Sequence, residues 1–104
     1  MASSKEYLDY ILEQLSDTDD VTYRAMMGEY IIYYRGRVIG GIYDNRFLVK
    51  PTRAAAELMP GASAEIPYDG AKEMLLVENI EDRAFLKELF EKMYDELSVP
   101  KKGN

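Results

Sequence analysis

The residue types that carry most enzyme chemistry are missing from this chain of 104 residues: it has no cysteine and no histidine. Without them there is no thiol nucleophile, no zinc–thiolate site, no disulfide framework and no Ser-His-Asp or Cys-His relay. What remains is carboxylates, lysines, arginines and tyrosines. Asp17, Asp19 and Asp20 are spaced like the start of a calcium loop. Such a loop needs glycine at its sixth position, where this chain has Thr22, so a solvated acidic loop is the expectation. Gly28, Gly40 and Gly41 are not followed by the residues of a phosphate loop. Carboxylates or Lys72 near residues 60–72 are the remaining places for an unrecognised activity, and no motif supports one. The expectation is a protein that is not an enzyme and holds no cofactor or metal.

The residues suited to binding are better marked. The net charge of −6 is unevenly spread, with a basic block over residues 21–60 (net +3) between acidic ends. Five of the six arginines, Arg24, Arg35, Arg37, Arg46 and Arg53, lie in that block, among many of the tyrosines. Gly40-Gly41 in mid-strand implies the close approach of another backbone or ring. Met26 and Met27 read as core filler, and Arg24 as a hydrogen-bonding fork beside the sheet.

The elements that must position these residues follow from pattern. Ser3 and Glu6 form a capping box before a helix over residues 4–15, with Tyr7, Leu8, Ile11, Leu12 and Leu15 on one stripe. Residues 21–50 read as four strands: 21–27, 29–34, 37–43 and 46–50. They are rich in β-branched and aromatic residues, and Arg35-Gly36 and Asp44-Asn45 serve as two-residue turns. Gly28 marks a bulge or a turn. Thr52 caps a short helix over 53–59. Residues 60–72 form a long loop, 73–78 a fifth strand, and Asn79 caps a final helix over 80–97 with a frayed tail beyond. The order α-β-β-β-β-α-β-α predicts one α+β domain over 1–104. It has two layers, a mostly antiparallel sheet with helices on one face.

The two turns imply a register. It puts Ile31, Tyr33, Val38, Ile42, Phe47 and Val49 against the helices. It leaves Tyr30, Ile32, Tyr34, Arg37, Ile39, Tyr43, Arg46, Leu48 and Lys50 on the open face. That aromatic–basic face has three readings: a protein interface or self-association surface, a single-stranded nucleic-acid platform, or a solvated sheet face. The acidic whole-chain charge counts against nucleic acid. No apolar run is long enough to cross a membrane, and with no signal-peptide core the expected location is cytoplasmic.

The stretch Arg24-Ala25-Met26-Met27-Gly28-Glu29-Tyr30, followed by Gly40 through Lys50, resembles the TfoX N-terminal domain family. Arg24, Met26 and Gly28 match the first part of its pattern, and Leu48 and Lys50 the second. Tyr68 and the Met74–Val77 strand stand where the family has its later loop and strand. Met27 and Glu29 depart from the pattern, where the family has phenylalanine and a second glycine. The resemblance implies the two-layer fold shared with type III secretion chaperones. It also implies a non-catalytic binding role; the family's namesakes are bacterial competence regulators that act in transcription with a second, helical domain. The open face read from the register, taken with the motif positions Arg24 and Tyr68, gives the interaction-face candidates Arg24, Tyr30, Tyr34, Arg37, Tyr43, Arg46, Lys50 and Tyr68.

Overall fold

The computed structural model describes residues 3–98. The frayed tail predicted after Leu97 lies, beyond residue 98, outside the described residues; Leu97 itself is buried in the core. Three helices and one antiparallel sheet of six strands make an α+β fold. The elements are α1 (Lys5–Gln14), β1 (Val21–Met26), β2 (Glu29–Tyr34), β3 (Arg37–Ile42), β4 (Phe47–Val49), α2 (Arg53–Leu58), β5 (Ala64–Glu65), β6 (Met74–Leu76) and α3 (Arg83–Met93). A 3₁₀ turn, Tyr94–Glu96, extends α3. The strands lie in the order β1-β2-β3-β4-β6-β5, so β1 and β5 are the two edges.

Local chemistry sets the element ends. Ser4, and not Ser3, caps α1 by accepting from the Tyr7 amide. Ser3 is drawn elsewhere: its Oγ donates to Glu29 (2.6 Å) and accepts from the Asn45 amide (3.0 Å). Thr52 caps α2 as its position predicts. Asp82, three residues after the predicted cap Asn79, accepts from the Phe85 amide and starts α3. Three hairpins turn on two residues with positive φ: Met27-Gly28, Arg35-Gly36 and Asp44-Asn45. Such turns match the twist of the strands they join.

The register carries the main correction to the sequence reading. Tyr34 pairs with Arg37 and Tyr33 with Val38, but Ile32 pairs with Gly40, so Ile39 is the extra residue of a β-bulge. One inserted residue shifts every side chain beyond it to the opposite face. Tyr30, Ile32, Tyr34, Arg37 and Ile39 therefore meet the helices, and Ile31, Tyr33 and Val38 face away. Ile42, Phe47 and Val49 lie against the helices as predicted.

The core sits between that face and the helices. Leu8 and Ile11 of α1, Leu15 just after it, and Leu86, Leu89, Phe90 and Met93 of α3 bury against Ile32, Tyr34, Ile39, Ile42, Phe47 and Val49. The Phe90 ring stands 5.5 Å from Tyr34 and 6.3 Å from Phe47. Gly40 lets β4 approach: a Cβ there would overlap the Leu48 carbonyl oxygen and lie 2.8 Å from Val49 Cα. No helix among the described residues is long and apolar enough to cross a membrane.

Candidate functional site

The sheet face turned away from the helices follows from the pairing. One row across it runs Arg24, Ile31, Gly41, Leu48, Leu76. Leu48 is fully buried although it stands outside the helix-side core. Its burial shows that this half of the face is covered.

The cover is residues 66–73, all but the last of them in the predicted long loop, with Pro67 buried within it. Three groups anchor it. Arg46 makes a 2.7 Å ion pair with Glu65 and donates to the Ile66 carbonyl, and Ser63 donates to the other Glu65 oxygen. These bonds hold the Glu65 carboxyl below the ordinary glutamate value, Arg46 contributing most. The Tyr43 ring folds over Gly41, where any Cβ would come within 2.6 Å of it. Tyr68 from the cover packs against Tyr43 at 5.9 Å between ring centres. Burial first, then Tyr68 and Glu29, push the Tyr43 phenol above its ordinary value, so it is a neutral hydroxyl at neutral pH.

Beyond the cover, towards the β1–β2 hairpin, the face is open. A groove of about 510 Å³ runs there, lined by Met26, Met27, Glu29, Ile31, Tyr43 and Tyr68. Met27, at the hairpin tip, is 96% exposed, Tyr68 61% and Met26 48%. Both methionines, read from sequence as core filler, are thus surface residues. The signal for this was present: a Met-Gly pair between two strands is a hairpin turn, and hairpin tips lie at the surface.

Glu29 forms the polar wall. Its carboxylate accepts from the Ser3 amide and hydroxyl and from the Asp44 amide, at 2.6–3.2 Å. It clasps the chain start and the Asp44-Asn45 turn onto the hairpin that carries the methionines.

The eight predicted interaction residues divide. Arg24, Tyr43, Arg46, Lys50 and Tyr68 share the helix-free side. Tyr30, Tyr34 and Arg37 do not, because the bulge turns them to the helices. Tyr34 is a core residue, 2% exposed. Arg37 is structural: it donates to the Tyr94 and Leu97 carbonyls and lies over the Tyr94 ring at 4.3 Å. Arg24, expected as a hydrogen-bonding fork, is exposed and bonds no side chain or carbonyl among the described residues; Arg37 fills that role. Lys50 lines a second hollow under the cover with Val38, Tyr43 and Lys72. No group of three or more acidic side chains among the described residues gathers to hold a metal ion.

A protein of Spirochaeta aurantia, described as an uncharacterized 12.7 kDa protein in the trpE 5′ region, is 32% identical over 84 residues. The match covers 81% of this chain and 73% of the relative. The chain belongs to the family of that protein. No protein-family model matches it, and no solved structure does.

Proposed function

We propose that this chain is a non-enzymatic binding module of the kind the TfoX N-terminal domains represent, and that it takes up apolar side chains of a partner protein in the Met26–Met27–Tyr68 groove. One observation carries the reading: two adjacent methionines and a tyrosine stand exposed around a concave apolar surface. Folded domains seldom leave such a surface without a use. Methionine side chains are flexible and polarisable, and adapt to the shape of what they bind. Glu29 and the Tyr43 hydroxyl add polar groups at the wall, as binding clefts commonly have. A regulatory role in transcription or competence, in a bacterial cytoplasm, is part of this reading and rests on the sequence motif.

The nucleic-acid reading draws less support. Tyr30, Tyr34 and Arg37 are turned to the helices, and Arg46 is paired with Glu65. Three cations, Arg24, Lys50 and Lys72, are left on the helix-free side without an ion pair among the described residues.

A photo-crosslinking amino acid at position 27, with position 57 on α2 as control, tests the proposal in cells that produce the chain natively. One discrete protein adduct from position 27, lost on Tyr68→Ser, is the expected outcome. A titration of the ¹⁵N-labelled chain with short oligonucleotides decides the alternative. Shifts at Arg24 and Lys50 that fade with salt, with no adduct at 27, would replace protein docking by nucleic-acid binding.

A further inference from the structure

The two edges of the sheet differ in kind. β5 is two residues long and offers little to pair with. β1 is six residues long, and from Thr22 to Met26 every residue is exposed. An edge is commonly blunted by charged side chains, proline, a bulge, a short strand or an inward charge. β1 carries one of these, the single charge of Arg24, and none of the others: its sequence is Val-Thr-Tyr-Arg-Ala-Met, and its pairing with β2 is regular throughout.

Which of its backbone groups are free follows from the turn. A two-residue hairpin is closed by a hydrogen-bonded pair, here Met26 with Glu29, and such pairs alternate along the ladder. Arg24 and Thr22 therefore bond inward. The Arg35 amide, which donates to the Asp20 carbonyl at 2.9 Å, continues the same parity at the far end. Val21, Tyr23 and Ala25 are left with N–H and C=O directed outward.

We infer that this edge pairs antiparallel with β1 of a second copy, about a two-fold axis through Tyr23. The inference is independent of the groove. Outward-bonding residues must face one another, which excludes every register that sets an odd-numbered residue against an even-numbered one. Centring on Arg24 would place two arginines directly opposite. Centring on Thr22 brings Asp19, outside the strand, into the ladder. Centring on Tyr23 alone uses all three outward residues. Val21 faces Ala25 of the second copy, the two Tyr23 residues face each other, and up to about six hydrogen bonds form. The side-chain pairs suit this: two tyrosines together on one side, and on the other Arg24 beside the Thr22 hydroxyl. The two sheets become one, with β5 at both ends.

Sedimentation equilibrium of the full chain over a dilution series tests this. A reversible dimer is expected. Because Thr22 is exposed and faces Arg24 across the axis, Thr22→Glu should tighten the dimer and Thr22→Arg weaken it, each by about tenfold in Kd. Adding Arg24→Glu to Thr22→Arg restores the opposed charges and the dimer. Ala25→Pro, which removes an outward N–H and no bond to β2, should yield a monomer. In hydrogen exchange, the Tyr23 and Ala25 amides gain protection with concentration. A chain monomeric at every concentration overturns the inference. So does a dimer indifferent to both Thr22 changes; a dimer lost on Met27→Ser instead would place self-association in the groove.

Discussion

Gly40→Ala gives a sharp test of the geometry. A Cβ at residue 40 would overlap the Leu48 carbonyl oxygen and stand 2.8 Å from Val49 Cα. Both are backbone atoms of the adjacent strand, so no rotamer change relieves the clash. Overpacking a core usually costs about 1–3 kcal/mol. Here the strand itself must move, which puts the loss at about 3 kcal/mol or more. For a domain near this size each kcal/mol shifts the melting temperature by about 4–8 °C, so Tm should fall by about 12 °C or more. The control is Gly61→Ala, where nothing lies within 4 Å and φ is not positive. That change should be neutral or stabilise by up to about 1 kcal/mol, by restricting the unfolded chain. Thermal and urea melts followed by circular dichroism report both. A Gly40→Ala variant that melts within a few degrees of the parent would refute the close approach of β3 and β4.

Further outcomes follow from other contacts. Tyr34→Ala should cost about 3–5 kcal/mol in urea melts, as for a buried aromatic, while Tyr34→Phe keeps the ring and costs about 1 kcal/mol or less. Glu96 accepts from the Ala54 and Arg53 amides at the start of α2, which holds its carboxyl below the ordinary 4.5. Its folded-state value is depressed, so its contribution is full above the unfolded value and is lost as pH falls through the folded one. Glu96→Gln should therefore lower the urea midpoint at pH 7 and flatten its fall below pH 4.5. Glu65→Gln should leave global stability almost unchanged, since its ion pair with Arg46 is partly exposed. It should nonetheless speed amide exchange across residues 66–73, which that pair anchors.

The sequence was informative where the deciding interaction is local. Arg35-Gly36 and Asp44-Asn45 are turns because of what those residues tolerate in φ, and both stand where they were expected. Thr52 caps α2 for a reason contained in four residues. Gly40-Gly41 announced a close approach, and both partners are found: the β4 backbone at Gly40, the Tyr43 ring at Gly41. The reading failed where the interaction is remote. Ser3 could serve Glu6 or Glu29, and only the folded chain brings Glu29 within 2.6 Å. The bulge at Ile39 stands beside Gly40-Gly41, a pair that signals either a bulge or a close approach, and it moved Tyr30, Tyr34 and Arg37 off the expected site. β5 escaped notice because two residues between a Pro-Gly pair and a Pro-Tyr pair carry no periodicity. The groove was missed because Met26-Met27 was judged by hydrophobicity, when its place at a hairpin tip decides its exposure.

The Glu29 clasp bears on the order of folding events. It joins Ser3 to residues 26 and 42 positions along the chain, and it can close only after the Met27-Gly28 and Asp44-Asn45 turns have formed. Hairpins form from neighbours, whereas this clasp needs distant segments already in place. It is therefore expected to close after the rate-limiting step, as a latch. Loosening it should hasten the escape of the folded chain and leave the speed of its formation almost unchanged.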